Sequence, residues 1–223
     1  MRQRKSKKIL IYFFLLLLVG SINNTNLNNL KLERIKNINI LGLDNNENLI
    51  QLQKIKNLNL DNILFINGKQ IASQISNNSL VEKYEIFKKY PSTININIDK
   101  TKFLAKINNN GKIFLVGSNG KLSENNFSNN LLPFIFGKPE INDFLDFKNI
   151  IDHSKFLYTD IKNLYFFSSK RWDLELDNNV IIKLSKNHVK ESLNFAFEFL
   201  HNQNFKDIKI IDTRIKNQII LND

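Results

Sequence analysis

The sequence predicts an α+β chain: a single N-terminal transmembrane helix, then a small αβ unit, then a strand-rich unit with flanking helices. Three observations carry this. A basic tail runs directly into fourteen uncharged, mostly apolar residues, ILIYFFLLLLVGSI, which begin at Ile9 and end at Ile22. Over about 31–100, short alternating stretches flank two segments with near-helical apolar spacing. From about residue 101 onward, alternating runs separated by Asn, Asp and Gly turns dominate.

The tail holds Arg2, Arg4, Lys5, Lys7 and Lys8. Positive charge ahead of an apolar run keeps the N-terminus on the cytoplasmic side. The rest of the chain is then expected on the far side of a membrane. A full span needs roughly 20 apolar residues, and this one is short, which suits the apolar region of a cleaved signal. Val19-Gly20-Ser21 offers small residues for such a cut. Against cleavage, no charge appears until Lys31, and Lys7 and Lys8 can snorkel at the cytoplasmic edge. Anchor and cleaved signal both stand open. The anchor reading divides the chain into a cytoplasmic tail at 1–8, an anchor and start of linker at 9–30, an αβ domain at 31–100 and a β domain at 101–223.

The formal net charge is +11 over 223 residues. Five of the 32 basic residues lie in the tail, so 27 face 21 acidic residues beyond it, a balance of +6. Those lysines are scattered singly among Asn and Ile, whereas a nucleic-acid footprint clusters them on one face. No nucleic acid is expected as a partner. Hydrophobic content of 42% with 18 Phe supplies apolar cores. With no cysteine, the chain folds without disulfides, and zinc–thiolate sites and cysteine nucleophiles are excluded.

The elements follow in order. Residues 23–31, NNTNLNNLK, read as a linker. Residues 33–43 alternate around Ile38 and Ile40, a half-buried strand. Leu49, Leu52, Ile55 and Leu58 then recur every third residue, a helix over 48–60. Ile63 to Ile66 is a short apolar run. Ile71 and Ile75, four apart, place a short helix over 68–77. Residues 80–90 and 93–99 are strands joined at Pro91-Ser92, a hairpin, with Ile94, Ile96 and Ile98 on one face packed against the two helices. Residues 103–107 and 112–116 belong to a meander turned at Asn109-Asn110-Gly111 and Ser118-Asn119-Gly120. Residues 131–137 read as a loop. Phe144, Phe147 and Ile151 mark a helix over 141–153. Strands are expected at 155–158, 164–167, 171–176 and 180–184. Val189, Leu193, Ala196, Phe197 and Leu200 share one face of a helix at about 187–201. Two last strands lie at 208–213 and 218–221, around residues 214–217.

No active site emerges. His153, His188 and His201 share no ligand spacing. Nucleophile elbow, P-loop and dinucleotide fingerprints are lacking. Asp143 and Asp146 stand three apart on a helix and read as a solvated face rather than an acid/base pair. Trp172 alternates with Leu174 and Leu176 as a packed position. Arg214 reads most simply as a surface ion pair with Asp212. No catalytic, cofactor-binding or metal-binding residue is therefore expected, and no cofactor or small-molecule substrate.

Several stretches, taken in order, resemble the FtsQ/DivIB family of bacterial cell-division proteins. Basic tail, single apolar segment and exported domain repeat its plan. Ile38 to Gly42, INILG, resembles the first strand of the family's POTRA domain. Lys89 to Asp99, KYPSTININID, with Leu104-Ala105, resembles its P-x-T-l-x-I-x-v-x-E-x-x-P-x-A stretch. Here Asp99 stands for the usual Glu, Lys102 for the usual Pro, and Ala105 falls one residue late. Residues 114–122, FLVGSNGKL, resemble l-v-D-x-x-G with Gly117 at the Asp, and 132–137 resemble L-P-x-l-x-G. Arg171-Trp172-x-Leu174-x-Leu176 and Ile211-Asp212-x-Arg214 resemble the two closing signatures. The resemblance implies a POTRA domain followed by a mostly antiparallel β domain, no enzymatic activity, and an inner-membrane protein with its C-terminal part in the periplasm at the division site. It implies FtsB- and FtsL-like partners. The docking edge for FtsB then corresponds to Ile215, Lys216, Asn217, Gln218, Ile219, Ile220 and Leu221, with Arg214 a basic contact and Lys170 and Arg171 near a second.

Strand addition at such an edge is expected from general principles as well, because unpaired N–H and C=O groups template another strand. Arg214 and Lys216 would suit acidic side chains on that strand. Two other readings differ in class: a soluble periplasmic POTRA-type chaperone or assembly module released by signal cleavage, and a hydrolase with a pocketed carboxylate pair.

Overall fold

The computed structural model describes residues 5–22, 34–124, 132–202 and 208–222. The expected linker at 23–31, Glu33 and Leu131 lie outside the described residues.

Helix α1, Lys5–Ile22, is 18 residues long, about 27 Å at 1.5 Å per residue. Lys5, Lys7 and Lys8 fall in its first turns. The uncharged part from Ile9 is then about 21 Å, against roughly 30 Å of hydrocarbon. Apolar side chains from Ile9 to Val19 are exposed all round it. The expected transmembrane helix is thus a helix only: no helix among the described residues is long and apolar enough to cross a membrane.

The first unit runs β1 (Asn37–Leu41), α2 (Asn45–Lys56), α3 (Gly68–Ser76), β2 (Val81–Lys89), β3 (Thr93–Lys100). This is the strand–helix–helix–strand–strand order read from the sequence. β3 is central, parallel to β1 and antiparallel to β2. Ile94, Ile96 and Ile98 are buried in one core with Ile55, Ile71 and Ile75 of the helices, as the alternation predicts. Gly42 is required where β1 ends: at φ +114°, an added Cβ would lie 1.7 Å from the Ile98 carbonyl oxygen. α2 ends earlier than expected and buries less of its leucine row. Spacing of three lags the 3.6-residue turn by about 60° per step, so Leu49 swings out to 57% exposure while Ile55 is fully buried. The side chain buried beside Ile55 is Gln51, which donates to the Gln74 carbonyl at 3.1 Å and accepts from Asn78 at 3.2 Å, tying α2 to the end of α3.

Thr101-Lys102 leads directly into the second unit. Its strands are β4 (Phe103–Asn109), β5 (Lys112–Gly117), β6 (Leu122–Glu124), β7 (Phe134–Phe136), β8 (Ile161–Phe166), β9 (Trp172–Leu176), β10 (Ile181–Lys183), β11 (Ile210–Asp212) and β12 (Ile220–Asn222). They form one nine-stranded sheet in the order β12-β11-β10-β9-β8-β7-β4-β5-β6. Pairing is mostly antiparallel, with parallel pairs at β4–β7, β7–β8 and β10–β11. Helices α4 (Ile141–Asp152) and α5 (Val189–Asn202) cover one face. Phe144, Phe147 and Ile151 are buried as their spacing predicts. Trp172 stacks on Phe147, with centroids 4.6 Å apart and planes 4° from parallel.

Three expectations are corrected here. The loop expected at 131–137 contains β7, which inserts between β4 and β8. Pro133 and Gly137 hide it in the sequence. In the fold, the Pro133 carbonyl accepts from Lys106 at 2.8 Å, and Gly137 takes φ +102° against the Phe166 carbonyl. Residues 155–158 are not a strand: the Phe156 N–H is held by Ser154 Oγ and the Lys155 N–H by Asn194 Oδ1. Phe156 and Tyr158 only mimic alternation; Tyr158 begins a 3-10 turn and donates to the Leu104 carbonyl at 2.9 Å. The last strand is β12 at Ile220–Asn222, shorter and later than the expected edge at 215–221. Residues 215–218 form a turn closed by Gln218 N–H to the Ile215 carbonyl, with Asn217 at φ +60°.

Candidate docking edge

Four short strands, β9 to β12, build the C-terminal margin of the large sheet. Leu174, Ile182 and Ile211 point into the core beneath the helices. Their neighbours in each strand therefore stand on the opposite, uncovered face. There Asp173 lies opposite Lys183, Lys183 opposite Asp212, and Asp212 opposite Ile220. Arg171 closes the row at one side, donating from Nε and Nη2 to Asp173 at 3.1 and 3.2 Å. Arg214 closes it at the other, with Nε 2.9 Å from both Asp212 oxygens and Nη2 2.5 Å from Oδ2. The result is a ladder of alternating sign, Arg171–Asp173–Lys183–Asp212–Arg214.

The fold fixes both ends of this ladder. The buried Asp173 carboxylate also accepts the Leu184 N–H at 3.2 Å. Thr213 donates from both N–H and Oγ1 to the Lys183 carbonyl at 2.9 Å, and its own carbonyl accepts from Ser192 on α5. This pins the backbone just before Arg214. Burial pushes the Asp212 carboxyl up, but hydrogen bonds from the Arg214 side chain and backbone outweigh it and hold it below the usual range. The hydrogen bond to Asp212, with its charge, raises the Arg214 guanidinium in return. A guanidinium carries five N–H donors, so each arginine has donors beyond those its aspartate takes.

β12 is the outermost strand of the sheet among the described residues. Ile220 is half exposed and Leu221 more than a third. Ile219 packs on the core, whereas Ile215, Lys216, Asn217 and Gln218 are exposed in the turn leading to β12. That turn and α5 enclose a cleft of about 450 Å³ lined by His188, Glu191, Phe195, Thr213, Ile215 and Lys216 among others. Lys170 stands apart, in the β8–β9 turn, and faces Asp143 at 3.8 Å. Arg171, its neighbour, rests 4.3 Å over the Phe167 ring. The structure thus brings Arg171 and Arg214 onto one charged row and leaves Lys170 outside it. Lys183 is the member that sequence reasoning missed. Its place opposite two aspartates depends on strand register, although the alternation already puts Asp173 on the side of Arg171.

Nothing among the described residues groups three His, Cys, Asp or Glu side chains to hold a metal. His153 Nδ1 donates to the Asn149 carbonyl at 2.8 Å at its own helix end, and His201 stacks on Phe197. Asp143 and Asp146 lie on α4, and Asp143 is taken by Lys170.

A small αβ unit followed by a second unit built on a mixed nine-stranded sheet defines a two-unit α+β protein. Residues 33–100 match the FtsQ-type POTRA domain, and residues 97–214 match the C-terminal domain of cell division protein FtsQ/DivIB. The second match alone exceeds half the chain, and the chain belongs to the FtsQ/DivIB family, a division scaffold family not known as enzymatic. Cell division protein FtsQ of Rickettsia bellii (strain RML369-C) is 24% identical over 173 residues, a match covering 70% of this chain. The chain spans about 60% of that relative's length. Among solved structures, the major extracytoplasmic domain of the trans isomer of DivIB from Geobacillus stearothermophilus aligns with TM-score 0.35 and 10% identity, covering 48% of this chain and 99% of that one.

Proposed function

We propose that this protein is a non-enzymatic, membrane-anchored scaffold of the bacterial division machinery, with its two folded units in the periplasm. On this reading α1 holds the chain to the inner membrane, with its lysines at the cytoplasmic edge. A segment of an FtsB- or FtsL-like partner adds as a strand beside β12, and an acidic side chain on that segment meets Arg214, while Arg171, three strands inward at the start of β9, is left to a second part of the partner. The observation that carries this is the position of β12, outermost in a nine-stranded sheet and next to the Asp212–Arg214 pair. An unpaired edge invites a further strand, whose backbone bonds supply affinity while flanking charges supply selectivity.

The test is co-purification of the chain with FtsB- and FtsL-like proteins from the same cell. Consecutive strand residues point their N–H groups to opposite sides, so one of Ile220→Pro and Leu221→Pro removes an outward donor. That variant is expected to lose the partner while the first unit stays folded. Retention of the partner by both variants would rule out strand addition at β12. For the anchor, a reporter active only in the periplasm, fused after Asp223, is expected to work. Activity of a cytoplasm-only reporter at that position contradicts it.

A further inference from the structure

The described chain enters the first unit at Arg34, whose backbone bridges Asn62 in the antiparallel sense. The Ile35 N–H then donates to the Asp61 carbonyl at 3.0 Å and the Lys36 N–H to the Ser92 carbonyl at 2.9 Å. These contacts gather two turns at one end of the unit: the one after Asn62, and the β2–β3 turn at Tyr90-Pro91. The first is an Asx turn in which Asn62 Oδ1 accepts from the N–H groups of Leu64 and Phe65, both at 3.1 Å. Of the apolar run from Ile63 to Ile66, only Ile63 is buried. Leu64 is 50% exposed, Phe65 75% and Tyr90 61%. Arg34, Lys36, Lys88 and Lys89 are exposed at the same end, with Asp61 the acidic side chain beside them.

Single exposed apolar residues are ordinary. Here two aromatics and a leucine share one end with four basic residues. The opposite end, where β1 stops at Leu41 and β3 at Lys100, is the one that joins the second unit. The basic, aromatic end therefore faces away from the rest of the folded chain. It is also the end tethered to α1, since 23–33 are the eleven residues between Ile22 and Arg34, a reach of at most about 40 Å. Aromatic rings favour the membrane–water boundary, and Lys and Arg are drawn to anionic headgroups.

We infer that this end of the first unit rests on an anionic lipid surface. Leu64, Phe65 and Tyr90 sit at headgroup depth, and Arg34, Lys36, Lys88 and Lys89 lie over the charged headgroups. The inference rests on reading α1 as membrane-inserted. It adds a second contact that sets the height and tilt of the unit above the bilayer.

Brominated lipids test it, because they quench only tryptophans at membrane depth. The full chain is reconstituted in vesicles of brominated phosphatidylcholine with phosphatidylglycerol. The unsubstituted chain supplies the background from the buried Trp172. Phe65→Trp is expected to lose emission. The loss should disappear when phosphatidylglycerol is left out or when Lys88→Glu and Lys89→Glu are added. Leu157→Trp, exposed on the second unit, should keep its emission. Tyr12→Trp, within α1, reads the anchor separately. Quenched Tyr12→Trp with unquenched Phe65→Trp overturns the lipid contact and leaves the anchor standing. Quenching of Phe65→Trp that persists without phosphatidylglycerol overturns the anionic preference. Unquenched Tyr12→Trp removes the anchor, and Phe65→Trp then decides the lipid contact by itself.

Discussion

Arg214 clasps Asp212, two residues before it, with side chain and backbone together: Nε, Nη2 and the peptide N–H all reach the one carboxylate. The cation beside β12 is therefore held in place before any partner arrives. Under the proposed strand addition, a partner carboxylate would meet a positioned guanidinium, with little side-chain entropy left to lose on binding.

Removing the guanidinium should register first in Asp212. Burial raises that carboxyl and Arg214 more than cancels it, so Arg214→Ala is expected to move its titration upward, followed by carboxyl-carbon NMR. A depressed folded pKa stabilises the protein above the unfolded carboxylate value near 4. That contribution is lost as pH falls through the folded value. At neutral pH the variant should lose only about 1 kcal/mol of stability, because solvent screens the half-exposed guanidinium although Asp212 itself is buried. Arg214→Glu should weaken partner binding by about 1–3 kcal/mol, measured calorimetrically. An unchanged Asp212 titration would contradict the clasp.

Further along the same face, Tyr165 donates to Glu175 Oε2 at 2.6 Å, and Asn163 donates to the same oxygen. Burial, then the bond to Glu175, pushes the phenol up to about 12. Hydrogen bonds from Asn163 and Tyr165 lower Glu175. Ultraviolet titration should show a tyrosine ionising at about 12, apart from Tyr158, which burial pushes higher still, and Tyr165→Phe should remove it. The linked stability is present below the unfolded tyrosine value near 10 and fades as pH rises through about 12. For Glu175 the sign reverses, with loss as pH falls through its lowered value. Tyr165→Phe should let Glu175 titrate higher.

The order of the first unit was legible because each element speaks locally. Ile94, Ile96 and Ile98 alternate, and Ile71 and Ile75 stand a turn apart. Phe144, Phe147 and Ile151 in α4 are legible for the same reason. Elements set by non-local partners were not. β7 is three residues between Pro133 and Gly137, and it becomes a strand only because β4 and β8 lie on either side. Phe156 and Tyr158 alternate without pairing, since side chains have already taken the N–H groups of Lys155 and Phe156. At the docking margin the sequence marked Arg214 and Asp212. The pairing of Lys183 with two aspartates and the late start of β12 depend on register, which no local pattern encodes.

The joint between the two units turns on Asn119. Its Nδ2 donates to the carbonyls of Ser79 and Val81 at 2.9 and 2.8 Å. Nearby, Glu82 Oε2 accepts from Thr101 at 3.0 Å and Ser118 at 2.7 Å. Asn119→Ala strands two carbonyls and should cost about 1–3 kcal/mol. In urea, the single transition expected of coupled units should broaden or split when followed by Trp172 fluorescence and far-ultraviolet circular dichroism together. Coincident, unshifted transitions would mean that the units are not coupled through this residue.

The central claim, strand addition at β12, is tested most directly by amide hydrogen exchange at Ile220, Leu221 and Asn222 with and without the FtsB-like partner. In the protein alone, amides bonded to β11 should exchange slowly and the outward amide quickly. Binding should slow the outward amide, because a new strand takes up that N–H. Exchange at Ile220–Asn222 that stays the same while the partner is demonstrably bound would contradict the account and place the partner elsewhere on the protein.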